Sequence, residues 1–266
     1  MATQAVRRSV QGESPLFMGS LAKCFQVLEA LNTAGRAVGL TELAQLSGLD
    51  RSGVQRITHT LRVLGYLRQD PATKAFRLAG RMLEFGHTVL ATNRVRERAQ
   101  PHLEALNRRT AETVNLMELE GEEIVYVSRF PSVHAVSVDL HVGSRLPAFC
   151  TAAGRAILSH VDPAEAAARL KGAKRNAMTP CTVTELPKLR QLLLAAREQG
   201  YALNDQEAFI GDISVAAPLL DPQGQPLGAV NIAVPFPRWH VDDVVARLVP
   251  QLLKTAAAIN KELRYL

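Results

Sequence analysis

The sequence predicts an α+β chain of two modules: an N-terminal winged helix-turn-helix unit and, after a helical linker, a larger unit of one sheet with helices packed on it. Three observations lead there. Residues 21–64 carry three short stretches of apolar residues at helical spacing, broken at "TAGRAVG" and again at Gly48. They run into "YLRQDPATKAFRL", two short apolar and aromatic runs around a Pro-containing turn, the pattern of a small β-hairpin. The remainder mixes strand-like and helix-like runs with antiparallel hairpins.

Taken in order, Ser20 is a good N-cap for a first helix to Asn32, with Leu21, Cys24, Phe25, Leu28 and Leu31 as its stripe. Thr41 can cap a short second helix with Leu43 and Leu46 inward, stopped by Gly48. Asp50 caps a third, whose buried stripe is Val54, Ile57, Leu61 and Leu64, and Gly65 ends it. Residues from Leu83 to about Asn107 are helical again, with a break at Pro101. "TVNLMEL" and "EIVYVSRF" read as two strands and "AVSVDL" as a third. Helices follow over Thr151–Ser159, from Asp162, and over Thr184–Glu198. "ISVAAPLL" and "LGAVNIAV" flank the turn "DPQGQP" as a long hairpin, and a last helix runs from Val241 to about Leu263. The expected organisation is a flexible basic tail (1–18), the helix-turn-helix unit (19–80), linker helices (81–108) and the second unit (109–266).

Hydrophobic residues make up 47% of the 266 and charged residues 21%, an ordinary globular balance. No apolar run approaches the ~20 residues needed to cross a bilayer. The N-terminus has two arginines but no apolar segment behind them, so it does not read as a signal peptide. Cys24, Cys150 and Cys181 cannot form a paired framework, which favours a reducing cytoplasm, and nothing in the spacing supports a metal or cofactor. Charge is uneven along the chain. Residues 1–90 carry 11 Lys and Arg against 6 Asp and Glu, a net +5; residues 91–266 carry 20 against 19, a net +1. The first third therefore faces an acidic polymer or surface.

The third helix narrows that choice. Between Asp50 and Asp70 there is no carboxylate, and Arg51, Ser52, Gln55, Arg56 and His59 project away from the apolar stripe. Arginine can fork onto guanine, glutamine onto adenine, and serine can contact phosphate or a base edge. A merely solvated helix face is usually a mixture of Glu and Lys, which this is not. In a winged helix-turn-helix the third helix enters the DNA major groove by its N-terminal residues. Gly53, costly inside a helix by ~1 kcal/mol, either permits close approach to the duplex or is tolerated in the first turn. Lys74 and Arg77 on the hairpin admit both phosphate contact and simple solvation.

"GSLAKCFQVLEAL", "LTELAQLSGLDRSGVQRITHTLRVLGYLRQD" and "FRLAGRMLEFG" resemble the DNA-binding half of the IclR family of bacterial transcriptional regulators. "LPAFCTAAGRAIL" and "GYALNDQEAFIGDISVAAPLLDPQGQPLGAVNIAV" resemble its effector-binding half. The resemblance runs from Gly19 to the end of the chain. It implies a GAF-like effector-binding domain, a homodimer or homotetramer, a double-stranded operator and a small-molecule effector, commonly a carboxylic acid. It also implies a pocket at Thr151, Ala152, Ala153, Asn204, Asp205, Ser214 and Asn231, with Glu207 closing the motif. Asn204 stands where the family pattern has an acid or serine, and Ala233 where it has a hydroxyl residue. "VGSRLPAFCTAAGR" and "YALNDQE" look most like the branch regulating aromatic-acid catabolism, such as protocatechuate or hydroxybenzoate pathways.

Several residues keep two readings. Arg129 or Arg145 can pair a ligand carboxylate or be surface arginines; Met117 and Tyr126 can line a pocket or fill a core. Cys150, between His141 and His160, can be a nucleophile or a buried thiol, although the strong catalytic motifs are missing. A metabolite sensor without DNA binding is the other rival, and it leaves the basic N-terminal third unexplained.

Overall fold

The computed structural model describes residues 15–134 and 139–264. The chain divides into two compact units, Met1–Thr92 and Asn93–Leu266. The division falls inside the segment read as a linker. Most of the 1–18 tail, and most of the strand expected at "AVSVDL", lie outside the described residues.

The first unit is built from α1 (Gly19–Ala34), α2 (Leu40–Ser47), α3 (Arg51–Val63), the antiparallel hairpin β1 (Leu67–Gln69) and β2 (Phe76–Leu78), and α4 (Met82–Ala91). Its core is Val27, Leu31, Val38, Leu43, Val54, Leu61, Leu67 and Phe76. Val38 bridges Phe76 and so ties the α1–α2 connection to the wing. Asp50 caps α3 as expected. Several expected core positions do not hold. Leu21 and Phe25 are exposed, because the buried side of α1 is centred on Val27 and Leu31, one turn apart. Leu46 is exposed: on so short a helix Leu43 alone is buried, and Leu49, past the stop at Gly48, packs instead. Leu64 lies beyond the last turn of α3, where Leu67 takes over its core role once the chain has turned. Thr58 is buried in the stripe, its hydroxyl satisfied by the Val54 carbonyl at 2.9 Å. Neither expected N-cap serves: Met18 and Gly39 occupy those positions without side-chain bonds, and Ser20 and Thr41 lie inside the helices.

The second unit opens with α5 (Arg94–Thr110). Asn93 caps it by accepting from the Arg96 N–H at 2.8 Å. The expected break at Pro101 does not occur, since the buried face of Ala99, Leu103 and Leu106 carries the helix through the proline. The break comes instead at Thr92 and Asn93. A six-stranded antiparallel sheet follows, made of β3 (Thr113–Glu120), β4 (Glu123–Phe130), β5 (Arg145–Pro147), β6 (Ala202–Asp205), β7 (Asp212–Leu220) and β8 (Pro226–Pro235). Its strand order is β5-β4-β3-β8-β7-β6, with the two long hairpins meeting at β3 and β8. The short strands β5 and β6 had no clear sequence signal and form the two edges. α6 (Ala152–Leu158), α7 (Pro163–Gly172) and α8 (Leu186–Gln199) build a core with Met117, Tyr126, Ala216 and Ala229. Strand alternation sends Leu116, Val215 and Val230 to the other face, where α5 and the C-terminal α9 (Val249–Leu263) pack. The approach to α9 is a short helical piece, Val241–Asp243, and a π-helical turn, Val244–Leu248. Pro250, with no N–H to give, stands just after that slip in the ladder.

α6 follows a 3₁₀ turn, Ala148–Cys150, that folds back so closely that a Cβ on Gly154 would lie 2.2 Å from the Ala148 carbonyl oxygen. Only glycine fits there, and the fit places the start of α6 beside the sheet. Among the described residues no helix is long and apolar enough to cross a membrane.

Leu43 is fully buried in a small core with few substitutes. Leu43→Ala is expected to destabilise the first unit by about 2–5 kcal/mol, read as a lower urea midpoint of helical circular dichroism. A midpoint like that of the parent chain would mean that this core does not hold the unit together.

Candidate nucleic-acid interface and ligand cavity

Arg51, Ser52, Gln55, Arg56 and His59 are all exposed on α3, opposite the buried Val54, Thr58 and Leu61. The Asp50 cap organises the start of this face. Its carboxylate accepts from the Gly53 N–H at 2.8 Å and the Ser52 hydroxyl at 2.7 Å. Those bonds, the Ser52 hydroxyl first, hold Asp50 below the usual carboxylate range, so the cap stays ionised at neutral pH. Ser52 is thus engaged in the cap as well as exposed. A Cβ on Gly53 would stand 2.9 Å from the Asp50 carboxylate, so the glycine leaves the cap its room.

The wing carries Lys74 and Arg77, both exposed. Asp70 shapes its turn by accepting from the Thr73 N–H at 2.7 Å and the Ala72 N–H at 3.0 Å. Arg77 stands directly opposite Arg68 in the hairpin register, a residue that the sequence reading missed. Like charges facing each other across a hairpin are unfavourable in isolation and favourable beside an anionic backbone. The hairpin pattern already implied this pairing.

In the second unit, Thr151, Ala152, Ala153, Asn204, Ser214 and Asn231 come together from α6, β6, β7 and β8 around a cavity of about 200 Å³. Ala233 lines it too, as do Met117 and Tyr126, which belong to the buried core as well, so both of their readings hold at once. Asp205 is not part of it. Successive residues on β6 face opposite ways, and the Asp205 carboxylate accepts from the Gln206 side chain at 3.2 Å. Asn204 lines the wall, but its amide is used internally: Nδ2 donates to the Cys150 carbonyl and Oδ1 accepts from the Glu207 N–H at 3.1 Å. A carboxylate could not make the first of these bonds, which accounts for the departure from an acid. Thr151 caps α6 by accepting from the Gly154 N–H at 3.2 Å, and the N–H groups of Ala152 and Ala153, in the first helical turn, have no intrahelical acceptor.

The polar end of the cavity is a row across three strands. Arg129 on β4 donates to Asn115 Oδ1 at 3.1 Å, and Asn115 Nδ2 donates to Asn231 Oδ1 at 2.8 Å. Cross-strand register creates it, since Asn115 is opposite Arg129 on one side and Asn231 on the other. Arg129 therefore reaches the cavity. Arg145 does not: it pairs with Glu120 at 2.7 Å and Glu123 at 2.9 Å on the surface near the β5 edge. Asp212 also lines the cavity and escaped the sequence reading, although its i, i+2 relation to Ser214 on one strand was a usable signal. Burial pushes its carboxyl up to about 6, against the opposing pull of Arg129. Glu112, also at the wall, is committed to Arg238 at 2.6 Å and to the Trp239 indole at 2.9 Å.

Glu207 faces away from the ligand space and clamps Arg155. Cys150 is buried against Met178, and burial pushes its thiol up to about 12. His141 and His160 bond to Ser144 and Ser159 respectively. A thiol held protonated in this way is a poor nucleophile.

Because its folded value is raised, Asp212 binds more proton in the folded chain than in the unfolded one between 3.8 and about 6. Stability therefore falls as pH rises through that window and stays reduced above it. Asp212→Asn, which cannot ionise, is expected to unfold at higher urea than the parent chain at neutral pH, the difference vanishing below the lower limit. Equal midpoints at neutral pH would rule out a cost of ionising Asp212.

Comparison with known proteins covers both units. Residues 20–71 match the IclR helix-turn-helix domain, and residues 87–261 match the bacterial transcriptional regulator IclR C-terminal domain. The Pca regulon regulatory protein of Pseudomonas putida is 32% identical over 99% of this chain and 90% of its own length. A transcriptional regulator from Rhodococcus sp. RHA1 has a similar structure, with a TM-score of 0.81 and 33% identity over 94% of this chain and 99% of that one. An IclR homologue from Microbacterium hydrocarbonoxydans, solved in complex with 4-hydroxybenzoate, gives a TM-score of 0.78 and 27% identity over 93% of this chain and all of its own. With a capped recognition helix in one unit, a sheet-and-helix cavity in the other and both family domains matched in order, the chain belongs to the IclR family of DNA-binding transcriptional regulators.

Proposed function

We propose that this regulator works in the cytoplasm as a homodimer or homotetramer, has no enzymatic activity, and reads a palindromic operator with two copies of α3 in successive major grooves. Arg51, Gln55, Arg56 and His59 reach base edges, Ser52 contributes from within the cap, and Lys74 and Arg77 hold phosphates. The observation that carries this reading is the acid-free exposed face of α3, oriented by a rigid cap beside a basic wing. A sensor without DNA binding would have no use for such a face.

The effector is a small carboxylic acid, of the aromatic class. A cavity of about 200 Å³ is smaller than the ~300–1,000 Å³ usual for larger ligands and has room for one substituted ring. Its walls supply Met117, Tyr126 and Phe209 for the ring and Arg129 for an anionic group. The relative solved with 4-hydroxybenzoate supports the same ligand class. Binding acts on DNA by favouring one arrangement of the assembled subunits over another, which requires unequal effector affinity for the two.

Arg56→Ala is expected to weaken operator binding by ~1–3 kcal/mol and to relax base preference at one position, measured by gel shift with the DNA upstream of the gene. Unchanged shifts would refute the recognition face. For the cavity, 4-hydroxybenzoate is expected to raise the melting temperature of the parent chain, and Ser214→Leu, which fills the pocket, to abolish that rise. A Ser214→Leu chain that kept the rise would place the ligand elsewhere.

A further inference from the structure

The effector cavity holds a charge arrangement that a simple anion receptor does not need. Among the described residues lining it, four are charged or titratable: Arg129 and Tyr126 from β4, Asp212 from β7, and Glu112 ahead of β3. Glu112 is paired with the charge of Arg238, which follows β8, and accepts a hydrogen bond from the Trp239 indole. The Tyr126 hydroxyl is held protonated by burial first and by the charge of Asp212 second. β8 brings no ionisable side chain, and Asp205 of β6 is turned toward Gln206. What remains at the wall is one guanidinium and one carboxyl that must share the same small space with any incoming acid.

We infer that an organic anion entering this cavity brings a proton with it, taken up by Asp212, so that effector binding tightens as the surroundings become more acidic. The inference rests on the carboxylic-acid reading of the effector. Its physical basis is the count of charges. Asp212 shares the cavity wall with Arg129, which pulls its carboxyl toward ionisation, yet burial keeps the proton on it up to about 6. A ligand carboxylate would add a second anion against the same guanidinium in a confined, largely apolar space. Two carboxylates beside one cation cannot both stay ionised cheaply, and the one already desolvated by the protein takes the proton. The Asn115 and Asn231 amides are neutral and bonded to each other, so they bring no charge to offset a second anion.

Proton uptake linked to binding makes affinity fall with rising pH, by up to about tenfold per unit when one full proton is taken up. The test is calorimetric titration of the full chain with 4-hydroxybenzoate from about pH 6 to about pH 8, in two buffers of different protonation enthalpy. The expected result is net proton uptake near neutrality and an affinity that drops several-fold across the range. Asp212→Asn is expected to bind with the affinity of the parent chain at the acid end, without proton uptake and without pH dependence. Binding by the parent chain with no proton exchange and a flat pH profile overturns the inference and leaves the effector reading intact, as does uptake that persists in Asp212→Asn. No binding at any pH overturns both. Should Asp212→Asn fail to fold, the proton count of the parent chain alone decides.

Discussion

The buried ion pair between Arg155 and Glu207 is the constraint on which the ligand-binding unit depends. Arg155 is 2% exposed and grips Glu207 with both arms of its guanidinium, Nη2 to Oε2 at 2.6 Å, while Nε donates to the Phe149 carbonyl at 2.8 Å. Glu207 Oε2 also accepts from the Val183 N–H at 2.9 Å, and the Glu207 carbonyl accepts from Thr182 at 2.7 Å. Taking two charges out of water is tolerable only when their bonding capacity is used this fully. The consequence is geometric: α6, the segment before α8 and the β6–β7 loop are tied to one point. Asn204, three residues before Glu207, adds its bond to the Cys150 carbonyl at the start of α6. The first turn of α6 is thus held against the sheet, and the cavity is the space left beside it.

The sheet furnishes the other side of that space by register. Arg129, Asn115 and Asn231 sit opposite one another on three adjacent strands, so a polar row forms where no segment of sequence is especially polar. Met117 and Tyr126, on the same face, supply the apolar wall. Glu112, Trp239 and Arg238 close the neighbouring corner with a second set of charge-assisted bonds. On the proposed reading, an acid would be selected by fixed dipoles and the Arg129 guanidinium in a confined volume, where a misplaced charge is costly.

The DNA-binding unit uses a different economy. Its core is a handful of aliphatic residues, and its recognition face owes its position to a local device, the Asp50 cap. That division matches the uneven charge: the small unit carries almost all of the positive excess, which favours the DNA backbone at long range, while the proposed base contacts are left to exposed side chains near the start of α3.

The sequence by itself determined the local features. The cap at Asp50, the helices of the first unit and the long β3–β4 and β7–β8 hairpins are written in spacings of three or four residues, or of two, and in turn residues that act within one segment. The family motifs carried the effector segments in the same way, and six of the seven proposed pocket positions do meet at one cavity. Tertiary structure decided what depends on partners far along the chain. Leu21, Phe25, Leu46 and Leu64 have the right spacing to be buried, but burial needs a neighbour to pack against, and theirs lie elsewhere. Pro101 stays in its helix because a packed face outweighs one lost hydrogen bond. Asp205 leaves the cavity, and Asp212 joins it, because a strand turns alternate residues to opposite sides. Arg129 and Arg145 are alike as sequence; only the strand register, which sets one beside Asn115 and the other between two glutamates, tells the cavity-facing arginine from the surface one.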